Sequence, residues 1–183
     1  EITDNVNDFN VKASDANGGN YAENVANTLT VSARWLPAGN TNRKTPPDVR
    51  RGEMVQLLQF SDSDKYYWTT LHDWNELRRL ETVIFAFSAN PDDNTPNSNE
   101  NMYYAEVSSH KRIMHIHTST ANKEFTEFDI QLNAGDGFLL IQDGVGNKFY
   151  LDAKNNALNY TNVDGSVIDI AKKNISLTAP DTI

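Results

Sequence analysis

Short alternating stretches of apolar and polar residues repeat along the C-terminal part of the chain. From Phe125 onward, the segments "FTEFDIQLN", "FLLIQD", "KFYLDA", "ALNYTN", "SVIDIA" and "NISLTA" place apolar residues at positions i and i+2. Because successive side chains of a strand point to opposite faces, each segment is predicted to be a short strand with one apolar face. The intervening "DGVGN", "KNN", "NVDG" and "KKN" are rich in residues that favour tight turns.

One such unit cannot bury its apolar face alone, so neighbouring units must cover it. Either one chain stacks its own units as a solenoid, or three identical chains surround one axis, each supplying one wall. A solenoid turn usually takes about 20 residues or more, which leaves room for only about two turns. The pattern therefore favours a trimeric β-prism, with a trimer core predicted at Leu139, Ile141, Phe149, Leu151, Leu158, Tyr160, Ile168, Ile170, Ile175 and Leu177.

The chain before the repeats has a different character. Residues 1–27 are acidic and poor in large apolar side chains, which predicts an N-terminal arm. Residues 28–120 contain longer predicted strands and one short predicted helix, "DWNELRRLE". This order favours a small barrel of the OB type, with a β-sandwich as the alternative. The predicted fold class is all-β, with an OB-like barrel over 28–120 followed by the prism over 121–183.

Composition narrows the function classes. The formal net charge is −9 and the pI about 4.8, which argues against a generic nucleic-acid-binding protein. The chain contains no cysteine, which excludes disulfides and thiolate metal sites. It also lacks an apolar run of the length needed for a membrane-spanning helix.

Two clusters are candidates for chemistry. His115 and His117 in "MHIHT" point to the same side of a predicted strand, and three chains could bring their imidazoles together around a metal such as iron. The favoured alternative is a hydrogen-bonded or exposed pair on a barrel strand. Glu124, Glu127 and Asp129 are spaced as a glycosidase carboxylate pair could be, but strand alternation favours outward, solvated acids.

A basic loop and several aromatic residues suggest a further alternative. With the aromatic residues for stacking, the basic loop could bind single-stranded nucleic acid. The favoured alternative is that the loop is a docking surface or is solvated. Its basic residues are Arg43, Lys44, Arg50 and Arg51. The aromatic residues considered for stacking are Trp35, Tyr66 and Trp68. The predicted core or interface anchors are Trp35, Trp68 and Trp74. No Ser/His/Asp arrangement and no phosphate-binding loop is present in the sequence. No catalytic or cofactor-binding residue is predicted, and the chain is not expected to be an enzyme.

The repeats "DGVGNKFYLDAKNN" and "NVDGSVIDIAKKNISLTAP", entered through "KRIMHIHTSTANKEFTEFDI", resemble the central spike, or cell-puncturing, proteins of contractile-tail bacteriophage baseplates. The upstream "ARWLP…PPDVRRGEMVQLL…YYW" is similar to the OB-type collar that precedes such needles. The resemblance covers roughly residues 29–183. Its motifs describe turns and strands and carry no catalytic signature.

This resemblance implies a homotrimeric virion protein whose barrel ring seats on a baseplate hub or tail tube protein. Its interwound β-helical needle would pierce the host outer membrane mechanically during tail contraction. Barrel-like sequence ends near Thr120 and needle-like sequence begins near Phe125, which leaves no room for the lysozyme domain that some relatives insert there. The repeats run to the end of the sequence, so an iron-binding apex is expected in a longer form or on a separate tip protein. The alternative function is a tail-associated β-helical glycan-binding or glycan-degrading protein.

Overall fold

The computed structural model describes residues 9–14, 20–25, 31–39, 41–49, 53–71, 80–92 and 98–182. Regular structure within these residues is β, apart from one short 3-10 helix at Asn99–Asn101. The predicted all-β class is confirmed. The chain divides into two compact units, one of residues 1–41 and 46–81, the other of residues 42–45 and 82–183.

The first unit contains two small sheets. Strands β1 (Phe9–Ser14) and β2 (Asn20–Val25) form an antiparallel hairpin within the segment predicted to be an arm. The second sheet has the order β3-β5-β4, with strands β3 (Ala33–Trp35), β4 (Val55–Gln59) and β5 (Tyr66–Thr70). The segments "EMVQLLQF" and "KYYWTTL" contain the antiparallel pair β4 and β5.

Two sequence predictions fall outside this description. The predicted helix "DWNELRRLE" lies mostly on residues 72–79, outside the described residues. Trp74 belongs to that segment, and Arg50 and Arg51 also lie outside the described residues.

The second unit is built on one nine-stranded antiparallel sheet. Its order, β14-β13-β12-β11-β10-β9-β8-β7-β6, is a meander in which every strand pairs with the next one in the chain. Its strands are β6 (Thr82–Ser88), β7 (Met102–Ser108), β8 (Ile113–His117), β9 (Phe128–Asn133), β10 (Phe138–Asp143), β11 (Lys148–Asp152), β12 (Ala157–Thr161), β13 (Val167–Ala171) and β14 (Asn174–Thr178). One chain therefore forms this continuous sheet from its own strands.

This pairing differs from the interwound arrangement that the resemblance implies. In an interwound β-helix, successive strands of one chain pair with strands of other chains. Here, turns such as 144–147 and 153–156 return each strand directly beside the preceding one, so hydrogen-bond partners come from the same chain. The expectation that each of three chains supplies one wall of a trimer stays a prediction.

The predicted boundary between barrel and needle falls inside this sheet. Strand β8, assigned to the barrel, pairs in register with β9, assigned to the needle, from Ile113 opposite Asn133 to His117 opposite Asp129. Strands β6, β7 and β8 belong to the same sheet as β9–β14, while β3, β4 and β5 form a three-stranded sheet in the other unit. The described strands of residues 28–120 thus close no barrel.

The two outer edges of the sheet differ. Residues 42–45 lie along β6, where the backbone N–H of Lys44 donates to the Ile84 carbonyl at 2.8 Å and the Ala86 N–H donates to the Asn42 carbonyl at 2.9 Å. Arg43 completes an isolated bridge to Phe85. The opposite edge is β14, whose residues are exposed throughout. The described residues include no helix long and apolar enough to cross a bilayer.

Candidate functional site

Two uninterrupted rows of apolar side chains cross one face of the nine-stranded sheet, which we call the apolar face. Residues directly opposite each other in a ladder share a face, so the strand registers define both rows. The first row is Val83, Val107, Met114, Leu132, Leu139, Leu151, Leu158, Ile170 and Ile175. The second row is Phe85, Ala105, Ile116, Ile130, Ile141, Phe149, Tyr160, Ile168 and Leu177.

All ten predicted trimer-core residues lie in these two rows. The period-2 alternation assigned their common face, and the registers place them side by side. The eight other members of the rows belong to β6, β7, β8 and β9 and were not in the predicted core. The same alternation of apolar residues at positions i and i+2 is present in "TVIFAFSA", "MYYAEVSS" and "KRIMHIHTST" and could have identified them.

Much of the apolar face is exposed in the single chain. Leu151 is 39% exposed, Ile168 43% and Ile175 71%. Among the described residues, the buried hydrophobic side chains are only Ala86 and Met102. A single sheet with one apolar face must bury that face against another layer to be stable. The apolar face is therefore a surface that requires a cover.

Hydrogen bonds join successive turns along both lateral margins of the sheet. On one margin the Ala153 N–H donates to the Gly137 carbonyl at 2.9 Å, and the Lys172 N–H donates to the Asn156 carbonyl at 3.0 Å. On the other margin the Val163 N–H donates to the Asn147 side-chain oxygen at 3.1 Å. These contacts tie each turn to its neighbour and resist bending of the sheet.

The "DGVGN" turn is held by the carboxylate of Asp143. This group accepts hydrogen bonds from the backbone N–H groups of Val145, Gly146 and Asn147 at 3.0, 2.8 and 2.9 Å, and from the Asn147 amide at 2.7 Å. The side-chain hydrogen bond from Asn147, with the backbone donors, lowers the pKa of Asp143. A Cβ on Gly144 would meet the Glu127 carboxylate at 2.5 Å, so a larger residue there would have to displace that side chain.

His115 and His117 belong to a polar cluster on the opposite face of the sheet. His115 Nε2 and His117 Nδ1 lie 2.7 and 3.1 Å from the same oxygen, Oδ1 of Asp129. An ionised carboxylate only accepts hydrogen bonds, so both nitrogens donate. Tyr104 packs against both rings, with its hydroxyl 3.3 Å from His115 Nδ1 and its ring stacked on His117 at 5.1 Å.

The cluster shifts the ionisation of its members. Partial burial of Asp129 acts to raise its pKa, but the hydrogen bonds and charges of His115 and His117 together outweigh it, so the Asp129 pKa is lowered. Burial, followed by the nearby charges of Asp129 and Glu106, raises the pKa of Tyr104. Glu106 is 8% exposed and pairs with Lys111 at 2.8 Å. The cluster links β7, β8 and β9 across the predicted domain boundary.

Removal of the shared acceptor is expected to destabilise the sheet. We expect Asp129→Ala to lower the free energy of unfolding by about 1–2 kcal/mol, because two half-buried imidazole N–H groups lose their partner. The lowered pKa makes this contribution present above the unfolded-state pKa of about 4 and lost as the pH falls through the folded-state value. Urea unfolding at fixed protein concentration should show the difference near pH 6.

The matched control for this variant is Asp164→Ala, because Asp164 is exposed in a turn of the same sheet. Its unfolding midpoint should stay close to that of the unmodified chain. A difference between Asp129→Ala and the unmodified chain that persisted undiminished at pH 2 would contradict a role for the Asp129 charge.

His115 and His117, the two candidate metal ligands, both contact the carboxylate of Asp129. His115 directs Nε2 and His117 directs Nδ1 to Asp129, so the ring nitrogens not bonded to that carboxylate are His115 Nδ1 and His117 Nε2. In the part of the chain that the structure describes, no three His, Cys, Asp or Glu side chains are arranged to hold a metal ion. Both histidines lie on the face opposite the apolar rows, so a threefold axis along the apolar face would not bring their rings together.

The three acids considered for glycoside cleavage have separate partners. Glu124 accepts a hydrogen bond from the Tyr103 hydroxyl at 2.7 Å, and this bond is the main reason that its pKa is lowered. Glu127 lies against Gly144, and Asp129 lies between the histidines. Asp129 is thus not the solvated acid that alternation alone indicated.

The basic and aromatic residues are distributed over different elements. Arg43 donates to the Thr45 carbonyl at 2.7 Å, and Lys44 lies 3.4 Å from the Met102 sulfur, both along the β6 edge. Trp35 and Trp68 are directly opposite each other in the β3–β5 pair of the other unit. Tyr66 lies opposite Ala33 in the same pair.

The chain was compared with protein-family models and with curated proteins. No protein-family model matches the chain, and a search of curated proteins finds no significant match.

Proposed function

We propose that the chain is the central spike of a contractile-tail baseplate, a homotrimer that pierces the outer envelope of a host cell mechanically. Three copies would place the apolar residues of β10–β14 on one axis and form a three-walled prism. The observation that carries the proposal is the pair of continuous apolar rows on an uncovered sheet face. The "DGVGN" turn and the repeated strands of the resemblance support the same assignment.

A prism of this kind would supply the stiffness that penetration requires. A single sheet bends easily, whereas three sheets joined through a dry core must deform together. The turn-to-turn hydrogen bonds on both margins add connections along the axis. Turns form the two long margins of each sheet. Few unpaired strand edges therefore remain to separate under load.

The exterior of this prism would be largely polar. Lys148, Asp152, Asn159 and Asp169 lie on the face opposite the apolar rows. A charged side chain at the centre of a bilayer costs about 2.5–3.5 kcal/mol on insertion scales. Such a shaft gains nothing by remaining in lipid, so it would cross an envelope only under external force. Seating on a baseplate hub or tail tube protein, a separate tip protein and location in the virion belong to the same proposal.

The first test is the mass of the full chain in solution. Light scattering should give three times 20.6 kDa, and electron microscopy should show a rod with threefold symmetry. A monomer at micromolar concentration would overturn the proposal.

The second test separates mechanical from enzymatic action. The purified protein is expected neither to clear peptidoglycan suspensions, nor to release reducing sugar from surface polysaccharide, nor to leak dye from liposomes on mixing. A lysozyme sample and a pore-forming peptide provide positive controls. Sugar release that Glu127→Gln abolished, with the trimer intact, would instead establish the glycan-degrading alternative.

A further inference from the structure

We propose that the self-association surface begins at β6, so that two further copies of this chain cover the apolar face of β6, β7, β8 and β9 as well as that of β10–β14. This inference rests on the proposed trimer and extends it into the segment whose sequence resembles a collar barrel. The same segment would then be part of the shaft.

Continuity of the rows is the first support. Met114 on β8 lies opposite Leu132 on β9 and Val107 on β7, and Ile116 lies opposite Ile130 and Ala105. Each row passes from β14 to β6 without a break in register or polarity. A cover that stopped at β10 would end in the middle of a uniform surface.

Exposure is the second support. Val107 is 50% exposed, Met114 51% and Ile116 50%, which is at least as much as Leu151 in the predicted core at 39%. The single chain therefore leaves β7 and β8 as uncovered as the strands that the sequence assigned to the trimer. Contiguous apolar patches of this kind mark interaction surfaces.

The distribution of charge favours another copy of the chain as the partner over an anionic surface. The two rows contain no carboxylate, ammonium, guanidinium or imidazole group, whereas the chain carries a net charge of −9. Like-charged copies repel through most surfaces and can approach closely through an uncharged one. The opposite face of the same strands carries Glu106, His115 and His117. An anionic lipid surface would be repelled by the acidic chain.

Interface size also favours the longer surface. Two rows of side chains make a strip about 12 Å wide, and each strand adds about 4.8 Å of length. Five strands from each of three chains give about 860 Å² of covered strip, and nine strands give about 1,550 Å². A stable interface between two partners buries roughly 1,200–2,000 Å² in total. Divided among the three interfaces of a trimer, five strands give about 290 Å² per interface and nine strands about 520 Å², so the longer surface comes closer to this range.

The absence of cysteine from the sequence permits a direct test by thiol protection. Single cysteines are introduced in the full chain as Met114→Cys on β8, Leu151→Cys on β11 and Ser176→Cys on the opposite face of β14. Each variant is sized and then reacted with a maleimide reagent. We expect the first two to react on the order of a hundredfold more slowly than Ser176→Cys, because reaction requires opening of the interface.

A second variant tests whether the contact holds the copies together. Ile116→Asp is expected to convert the trimer to monomer, while His110→Asp, in the exposed β7–β8 turn, remains trimeric. Circular dichroism reports whether Ile116→Asp retains strands. If Ile116→Asp loses its strands, the maleimide reaction of Met114→Cys decides whether other copies cover β8.

The outcomes distinguish this inference from the proposed function. A trimer in which Leu151→Cys is protected but Met114→Cys reacts freely overturns the inference and leaves the proposed function standing. A monomer in which both react overturns both. The inference is also overturned if Met114→Cys is protected in a monomer or only when lipid vesicles are added, because something other than a second copy then covers β8. A folded Ile116→Asp trimer overturns it as well, because β8 then lies outside the contact between copies.

Discussion

Leu151→Asp and Ile170→Asp are each expected to abolish trimer assembly. Leu151 lies between Leu139 and Leu158, and Ile170 lies between Leu158 and Ile175, so each has apolar neighbours on both adjacent strands. In the proposed prism, one substitution places three carboxylates on a dry axis. An unpaired buried ion costs several kcal/mol, and mutual repulsion adds to this cost. Sizing should show monomers at concentrations where the unmodified chain is trimeric.

The matched control is Thr161→Asp. Thr161 lies beside Tyr160 on the same strand but faces the other way, directly opposite Lys148. Its new carboxylate would remain outside the core and near a positive charge, so the trimer should persist. If Leu151→Asp and Ile170→Asp both remained folded trimers, the apolar face could not be the interface.

Strand positions and facing were predictable because they depend on a local property. Alternation fixes which side chains share a face within one strand, and turn residues mark where each strand ends. This is why the predicted core residues from Leu139 to Leu177 all fell on one face. The same reasoning applied to β6–β8 would have extended the rows, but the resemblance to a collar barrel assigned those strands elsewhere.

The polar contacts were less predictable because they depend on register between distant segments. The Asp129 contact with His115 and His117 exists because β8 and β9 pair with His117 opposite Asp129 across the intervening loop. Tyr103 and Glu124 meet for a similar reason, through an intervening strand. No spacing rule within one segment indicates such pairs.

Turn chemistry also gave some outward residues a role that alternation does not reveal. Asp152 faces away from Leu151, as predicted, but its carboxylate accepts hydrogen bonds from the Asn155 backbone N–H and side-chain amide at 2.9 and 2.7 Å. The Asn155 side chain is the main reason that the Asp152 pKa is lowered. An outward strand residue beside a turn is therefore not automatically a silent position.

The second large expected effect is a melting temperature that falls with dilution. Since the described residues bury little apolar surface within one chain, folding of the nine-stranded sheet should be coupled to trimer formation. For three chains forming one trimer, each tenfold dilution removes about 0.9 kcal/mol of stability per chain, two thirds of RT ln 10. For a chain of this size that corresponds to a decrease of about 2–4 °C.

Scanning calorimetry or circular dichroism over a thousandfold range of concentration should therefore show a total decrease of about 6–12 °C. Reversibility must be confirmed by rescanning, because irreversible unfolding makes the midpoint depend on scan rate. Thr161→Asp should follow the same concentration dependence, since it leaves the apolar face unchanged. Leu151→Asp should show no cooperative transition of this sheet at any concentration, because the sheet is not expected to fold without the trimer. A reversible transition of the unmodified chain that stayed at one temperature throughout would mean that one chain stabilises its own apolar face, and the proposed prism would lose its physical basis.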